Sequence, residues 1–333
     1  MRLKQEPLVS VVTPVYNGEQ YLRECIESVL AQTHSNWNYT IINNCSTDRT
    51  LDIAREYAAK DARIRIHDND TFVRVIENHN IAFRQISPAS NYCKLVAADD
   101  WLFPECLEKM VDLAEAHPSV AIVGAYSLVG TKVAFDGLPY PSTVVTGRDA
   151  CRWTLLGGSP IFGAPTSAMF RSDIVRSRQA FYNESNLQAD KEACLEFLEH
   201  HDFGFVHQVL SFIRLREGSL TSFSESFQTS LSGILYNLVK YGPKYLSEDE
   251  LSRRTKEHIS NYYSYLGWQV FKWRGRDFWS FHRGKLAAIG YPLSAFRVTT
   301  SALSYVLDIL LNPKRTVERV ASRLSQLRST SPR

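Results

Sequence analysis

The period of the hydrophobic positions changes repeatedly along this chain, and each change marks an element. Val9 to Val15 is a continuous apolar run rich in β-branched residues, the pattern of a parallel strand buried on both faces. From Glu19 to Gln32, Tyr21, Leu22, Cys25, Ile26, Val29 and Leu30 recur at helical spacing and predict one buried stripe. The alternation continues with a strand over Tyr39–Ile42, a helix over Ser46–Lys60 with Ile53 and Tyr57 inward, a strand over Arg63–His67 and a helix over Val75–Ile86. Strands at Tyr92–Ala97 and Val120–Ala125 flank a helix from Pro104 to Ala116.

Strands alternating with helices of this length predict βαβ units and an α/β fold with an open, mostly parallel sheet. Ligands of such sheets sit beyond the carboxyl ends of the strands. Both TPVYN, after the first strand, and AADD, after Tyr92–Ala97, lie at such ends and are expected to meet in space. Past Ala150 the alternation weakens: Gly157–Ser167 (GGSPIFGAPTS) reads as a loop-lined cleft, and Gln188–His200 as a helix. After Ser219 long aromatic-rich helices follow, such as Asn261–Trp273, so the chain divides into a domain over residues 1–222 and a helical region over 223–333.

At 333 residues the chain can bury a substantial core, and its composition is that of a soluble globular protein. Its six cysteines show no CxxC spacing and read as reduced thiols of a cytoplasmic protein. MRLKQEP runs straight into the first strand without a secretory apolar stretch. Val298–Leu311 is interrupted by Asp308 and falls short of the roughly 20 residues of a membrane span. The net charge of +3 is local: from Asn312 onward there are six bases and one acid. There Arg315, Arg319 and Arg323 recur every fourth residue, with Val317, Val320, Leu324 and Leu327 on another face. That basic amphipathic helix is either solvated or laid peripherally on the inner face of an anionic membrane. None of the nine histidines has zinc-site spacing, and no Walker loop or GxGxxG follows a strand, which excludes the simplest kinase and dehydrogenase readings. No nucleic-acid partner is expected.

Asp99 and Asp100 end an apolar strand, where carboxylates can hold Mg²⁺ or Mn²⁺ against a diphosphate leaving group; the alternative is a pair that caps the turn before Pro104. The joint pattern PLVSVVTPVYNGEQYLRECIESVLAQT, NNCSTDRT and AADDWLFPE resembles the family 2 inverting glycosyltransferases over roughly residues 7–222. The resemblance implies a GT-A (Rossmann-like) fold and a nucleotide-sugar donor. It assigns donor binding to Thr13, Pro14, Tyr16 and Asn17, to Asn43, Asn44 and Asp48, and to Asp99, with Asp99 and Asp100 on the metal. Asn43 and Asn44 stand where the family usually carries acid; an amide can both donate to and accept from a base edge. Ala97 replaces another common acid, which leaves most of the metal role to Asp99.

Inversion needs a general base for the acceptor hydroxyl. In NLQADKEACLEFLEHHDFGFV the resemblance points to Asp190, with Glu192 as the fallback and Ala189 in place of a preceding acid. Arg214, Arg216 and Ser219 resemble the family's closing Arg-x-x-x-x-Ser segment, on a diphosphate or simply around a surface turn. The expected activity is metal-assisted transfer of a sugar, from a UDP-sugar, to a hydroxyl of a glycan or lipid-linked acceptor. A non-catalytic nucleotide-sugar sensor or scaffold is the alternative raised by Asn43, Asn44, Ala97 and Ala189. A nucleotidyltransferase ranks last, because TPVYNGEQ has no basic phosphate-binding residue.

Overall fold

The computed structural model describes residues 6–216 and 220–311. Ser219 and the basic segment from Asn312, with Arg315, Arg319 and Arg323, lie outside the described residues. Four strands come first, β1 (Val9–Val15), β2 (Trp37–Asn43), β3 (Ile64–Asp68) and β4 (Tyr92–Leu95), joined through α1 (Leu22–Leu30), α2 (Thr50–Ala58) and α3 (Val75–Arg84). They form the parallel half of the sheet in the order β3-β2-β1-β4. Every residue of β1 is buried, as a central strand covered on both faces requires. Pro14 is tolerated there because β4 pairs with β1 only from Val9 to Val12, so its missing N–H lies beyond that ladder.

The other half of the sheet is built from β5 (Trp101–Leu102), α4 (Cys106–Ala116), β6 (Val120–Val129), β7 (Lys132–Ala134), β8 (Val144–Val145), α5 (Gly147–Leu155), β9 (Met169–Arg171), α6 (Ser172–Arg176), α7 (Ala189–Phe197) and β10 (Asp202–Ile213). Here parallel and antiparallel pairs mix: β9 runs antiparallel between β4 and β6, β10 runs parallel to β6, and β5 closes the edge antiparallel to β10. β5, β7, β8 and β9, of two or three residues, carry no readable period, and the twelve residues of β10 lose theirs to register shifts against β6, so of this half only β6 was expected as a strand.

The rest of the described chain is helical: α8 (Leu220–Phe227), α9 (Thr229–Tyr245), α10 (Glu248–Val270), α11 (Arg276–Ala288) and α12 (Ala295–Leu311). Two compact units result. One holds the chain up to Thr229 together with Tyr241–Leu246; the other holds Ser230–Lys240 and the chain from Ser247 onward. In the first unit, apolar faces of α1, α2 and α4 pack with β1 and β2 into one core that includes Leu22, Ile26, Ile53 and Met110. In the second, α10 opens with a full capping box between Ser247 and Glu250. No described helix is long and apolar enough to cross a membrane.

Candidate functional site

The loops after β1 and β2 are tied together residue by residue. Asn17 donates its N–H to Ser46 Oγ (3.0 Å) and accepts from the Thr47 N–H at Oδ1 (2.8 Å). Gly18 N–H donates to Thr50 Oγ1 (2.7 Å) and Glu19 N–H to Asp48 Oδ2 (3.0 Å), while Glu19 Oε2 accepts from the Arg49 N–H (3.1 Å). Two residue choices make this possible. Asn17 has φ +49°, a left-handed conformation asparagine accepts readily, and a Cβ on Gly18 would stand 2.5 Å from Val15 Cγ2. Partial burial raises the Asp48 carboxyl, but hydrogen bonds from Thr50 and Glu19 outweigh it and hold it below its ordinary value.

A third loop, after β3, hangs on Asn44. Its Oδ1 accepts from the Val73 N–H and from Asn69 Nδ2 (3.0 Å each), and its Nδ2 donates to Val73 O (2.8 Å). Asn43 Nδ2 donates to Asp68 Oδ1 (2.7 Å). Both amides are buried, and these bonds shape the loops. The loop they hold carries Phe72, whose exposed ring meets exposed Tyr16 edge-on, with centroids 4.8 Å apart. Phe72 was not anticipated; an aromatic in the polar stretch NDTFVR was the available signal.

The structure separates the other donor-site expectations. Tyr16 and Asn17 are exposed at the strand end, whereas Thr13 and Pro14 are buried within β1. Thr13 Oγ1 accepts from Tyr39 Oη (2.8 Å) inside the core.

Asp99 and Asp100 follow β4 and meet the end of β10. Asp100 is buried: its Oδ2 accepts from Thr166 Oγ1 (2.6 Å) and its Oδ1 from the Arg214 N–H (3.0 Å). Burial pushes its carboxyl up to about 7, against the lowering effect of those two bonds. Thr166 also accepts from the Ala97 N–H (3.1 Å), so one hydroxyl fixes both ends of the AADD segment. Nothing in GAPTS beyond its loop character signalled that role.

Asp99 remains partly exposed (20%), and its Oδ2 accepts from Arg216 Nε at 2.5 Å. Arg214 Nε donates to Asp99 O (3.1 Å) and Nη2 to Glu24 Oε2 (2.5 Å), with its guanidinium 4.4 Å from the Tyr21 ring. The two arginines singled out in the sequence thus stand on the acidic motif itself. Among the described residues no three His, Cys, Asp or Glu side chains cluster as a complete metal cage.

Asp190 and Glu192 open α7 with different surroundings. Glu192 is buried; it accepts from Asn183 Nδ2 (3.0 Å), Asn186 Nδ2 (2.7 Å) and Tyr241 Oη (3.2 Å), which makes it a structural hub. Asp190 is half-buried, and desolvation raises its carboxyl, partly offset by Lys191 and by backbone N–H groups at the helix start. Tyr182, on the segment before α7, places its buried hydroxyl within electrostatic reach of Asp190.

The family model described as Glycosyl transferase family 2 matches residues 10–178, half of the chain. An uncharacterized glycosyltransferase of Haemophilus influenzae is 37% identical over 185 residues, 54% of this chain and 56% of that relative. The alignments span at most 60% of the length of the first curated relatives. The structure is similar to S. aureus TarS 1–349 in complex with UDP-GlcNAc, with a TM-score of 0.62 and 17% identity over 84% of this chain and 80% of that one. It is also similar to the mannosyltransferase PcManGT of Pyrobaculum calidifontis in complex with GDP-Man and Mn²⁺, with a TM-score of 0.55 and 13% identity over 98% and 89% of the two chains. At these identities the structural likeness is one of fold.

Proposed function

The chain belongs to glycosyl transferase family 2, and from that premise we propose that it transfers a sugar, with inversion, from a nucleoside diphosphate donor to a hydroxyl of a glycan or lipid-linked acceptor. The observation that carries this reading is the placement of Asp99, Arg214 and Arg216 together where β4 and β10 end. One carboxylate and two guanidiniums are the groups a departing diphosphate and its cation need. Tyr16 and Phe72 offer an apolar face for a base, and the tethers through Asn17, Asp48 and Asn44 hold that face in place. UDP is the first donor nucleotide to try, since TarS was solved with UDP-GlcNAc; PcManGT, solved with GDP-Man, makes GDP the second.

A divalent cation fits this site in one way. Asp100 has both oxygens engaged, while Asp99 keeps one oxygen beyond its bond to Arg216. Such a donor set suits Mg²⁺ or Mn²⁺ that takes its remaining ligands from diphosphate and water. When bound, the ion supplies positive charge to the leaving diphosphate. Asp190 takes the proton of the acceptor hydroxyl as that oxygen attacks the anomeric carbon. The new C–O bond forms as the bond to the phosphate oxygen breaks, and the diphosphate leaves with the electron pair. A carboxyl raised by burial is a stronger base for this step than an ordinary aspartate. The six free cysteines suit the reducing cytoplasm.

A second reading, nucleotide-sugar binding without transfer, is favoured by the engagement of both Asn43 and Asn44 in structural bonds. Calorimetric titration with UDP and GDP, with and without Mn²⁺, combined with transfer assays of Asp190→Asn, separates the two. The proposal expects nucleotide binding in both proteins and transfer only in wild type. Full transfer by Asp190→Asn removes the base assignment, and binding without turnover on any acceptor supports the sensor.

A further inference from the structure

The helical unit carries a surface that the donor chemistry does not use. Within it α10 and α12 run in the same direction. Tyr263 Oη accepts from the Ser294 N–H (3.0 Å) and its ring lies 4.2 Å from the Arg297 guanidinium. A Cβ on Gly267 would stand 2.7 Å from Ser301 and Ala302 atoms, and the Phe271 ring meets that of Tyr305 at 5.8 Å. This register sets where the helices end: α10 stops at Val270, near the level of residue 304, while α12 runs on to Leu311, about 10 Å farther at roughly 1.5 Å per residue.

Both ends turn apolar groups outward. Trp273, directly after α10, has φ +50° and is 93% exposed, and Val270 and Phe271 beside it are exposed too. On the projecting turns of α12, Leu307, Leu310 and Leu311 are exposed. Interleaved with them are exposed bases. Lys272 lies 5.0 Å from the Trp268 ring, Arg274 bonds Gln269 Oε1 (2.7 Å), and Arg276 opens α11. All three residues are exposed. From Val270 to the last residue the sequence has twelve bases and three acids, against a net charge of −6 for the 269 residues before it.

We propose that this tip seats the protein on an anionic lipid bilayer surface, with Trp273, Phe271, Leu307, Leu310 and Leu311 at the boundary between headgroups and acyl chains. Lys272, Arg274 and Arg276 then lie against lipid phosphates. An indole with an apolar body and one N–H donor suits that boundary, and bases around it gain from the negative surface potential. The excess of nine bases over acids from Val270 onward is what favours an anionic surface as the occupant. The inference is independent of the transferase reading.

The test is flotation of the full chain with phosphatidylcholine vesicles, with and without phosphatidylglycerol. Two variants on exposed positions are compared with wild type: Trp273→Ser and the double substitution Leu307→Gln, Leu310→Gln. Wild type is expected to bind the anionic vesicles, to bind neutral ones weakly and to release with added salt; each variant is expected to bind roughly tenfold less. Brominated acyl chains should quench part of the tryptophan emission of wild type but not that part in Trp273→Phe. Unchanged vesicle binding in both variants, with native circular dichroism, overturns the proposal and shifts the attraction to the chain beyond Leu311. Absence of binding to anionic vesicles also overturns it, and dimers that dissociate in the variants would then identify a second copy as the occupant.

Discussion

Asp99 and Asp100 are neighbours with opposite prospects. Asp100 spends both oxygens inside the protein, on Thr166 and Arg214, and its burial favours the protonated form. Asp99 spends one oxygen on Arg216 at the surface. A guanidinium bonded to one Asp99 oxygen competes electrostatically with a divalent cation on the other, whereas a diphosphate draws the guanidinium away. Arg216→Met is therefore expected to tighten Mn²⁺ binding in the absence of nucleotide and to weaken UDP binding by about tenfold, the loss of one charge-assisted hydrogen bond. Manganese titration followed by electron paramagnetic resonance reads the first effect; unchanged Mn²⁺ affinity would show that Arg216 does not compete. Asp190 makes a separate prediction. It acts deprotonated, so transfer falls as pH drops through its pKa, and burial moves that limb above the ordinary aspartate value of 3.8. A pH profile of kcat/KM should show the limb in wild type. A limb at or below the ordinary value counts against Asp190.

At the scale of elements, the site consists of strand ends held in register by loop-to-loop bonds. The strands that aim those loops were legible: β1 to β4 and α1 to α4 each span enough residues to show a period, and each occurs within a few residues of its expected place. The tethers were not legible, because Asn44 to Val73 and Thr166 to Asp100 join residues far apart in sequence through atoms that leave no pattern. At Asn44 the amide fits its partners where the family's usual acid would not. An acid there accepts the Val73 N–H but has no donor for Val73 O, and it places a charge at a buried position. Asn44→Asp is expected to lower stability by roughly 2 kcal/mol and to loosen the loop that carries Phe72. Urea unfolding measures the first effect, and faster amide exchange at Asn69–Val73 the second; native stability would mean that the loop is held by other contacts.

For the whole molecule, family and fold class followed from motifs at strand ends, while the division of α9 between the two compact units had no sequence signal, since a helix whose middle belongs to one unit and whose ends belong to the other keeps a single period. That division affects how stability is measured, because two units need not unfold as one. The sheet-bearing unit can be followed alone through exchange of the β1 and β2 amides. Within it His79, on α3, has a buried Nδ1 without a hydrogen-bond partner, and burial lowers its imidazole to about 4. The unfolded chain takes up that proton near pH 6.5. Above this value both states are neutral and the stability is fully present. As pH falls from about 6.5 towards 4 the unfolded state gains a proton that the folded state refuses, and stability is lost by up to about 1.4 kcal/mol per pH unit. His201, whose pKa burial also lowers, contributes in the same direction, so the comparison must be with a variant rather than with a flat line. His79→Phe keeps a ring beside Tyr182 and removes the titrating group. It should match wild type or fall below it near pH 7 and lose less stability on acidification. Parallel pH profiles for the two proteins would show that His79 is protonated equally in the folded and unfolded states.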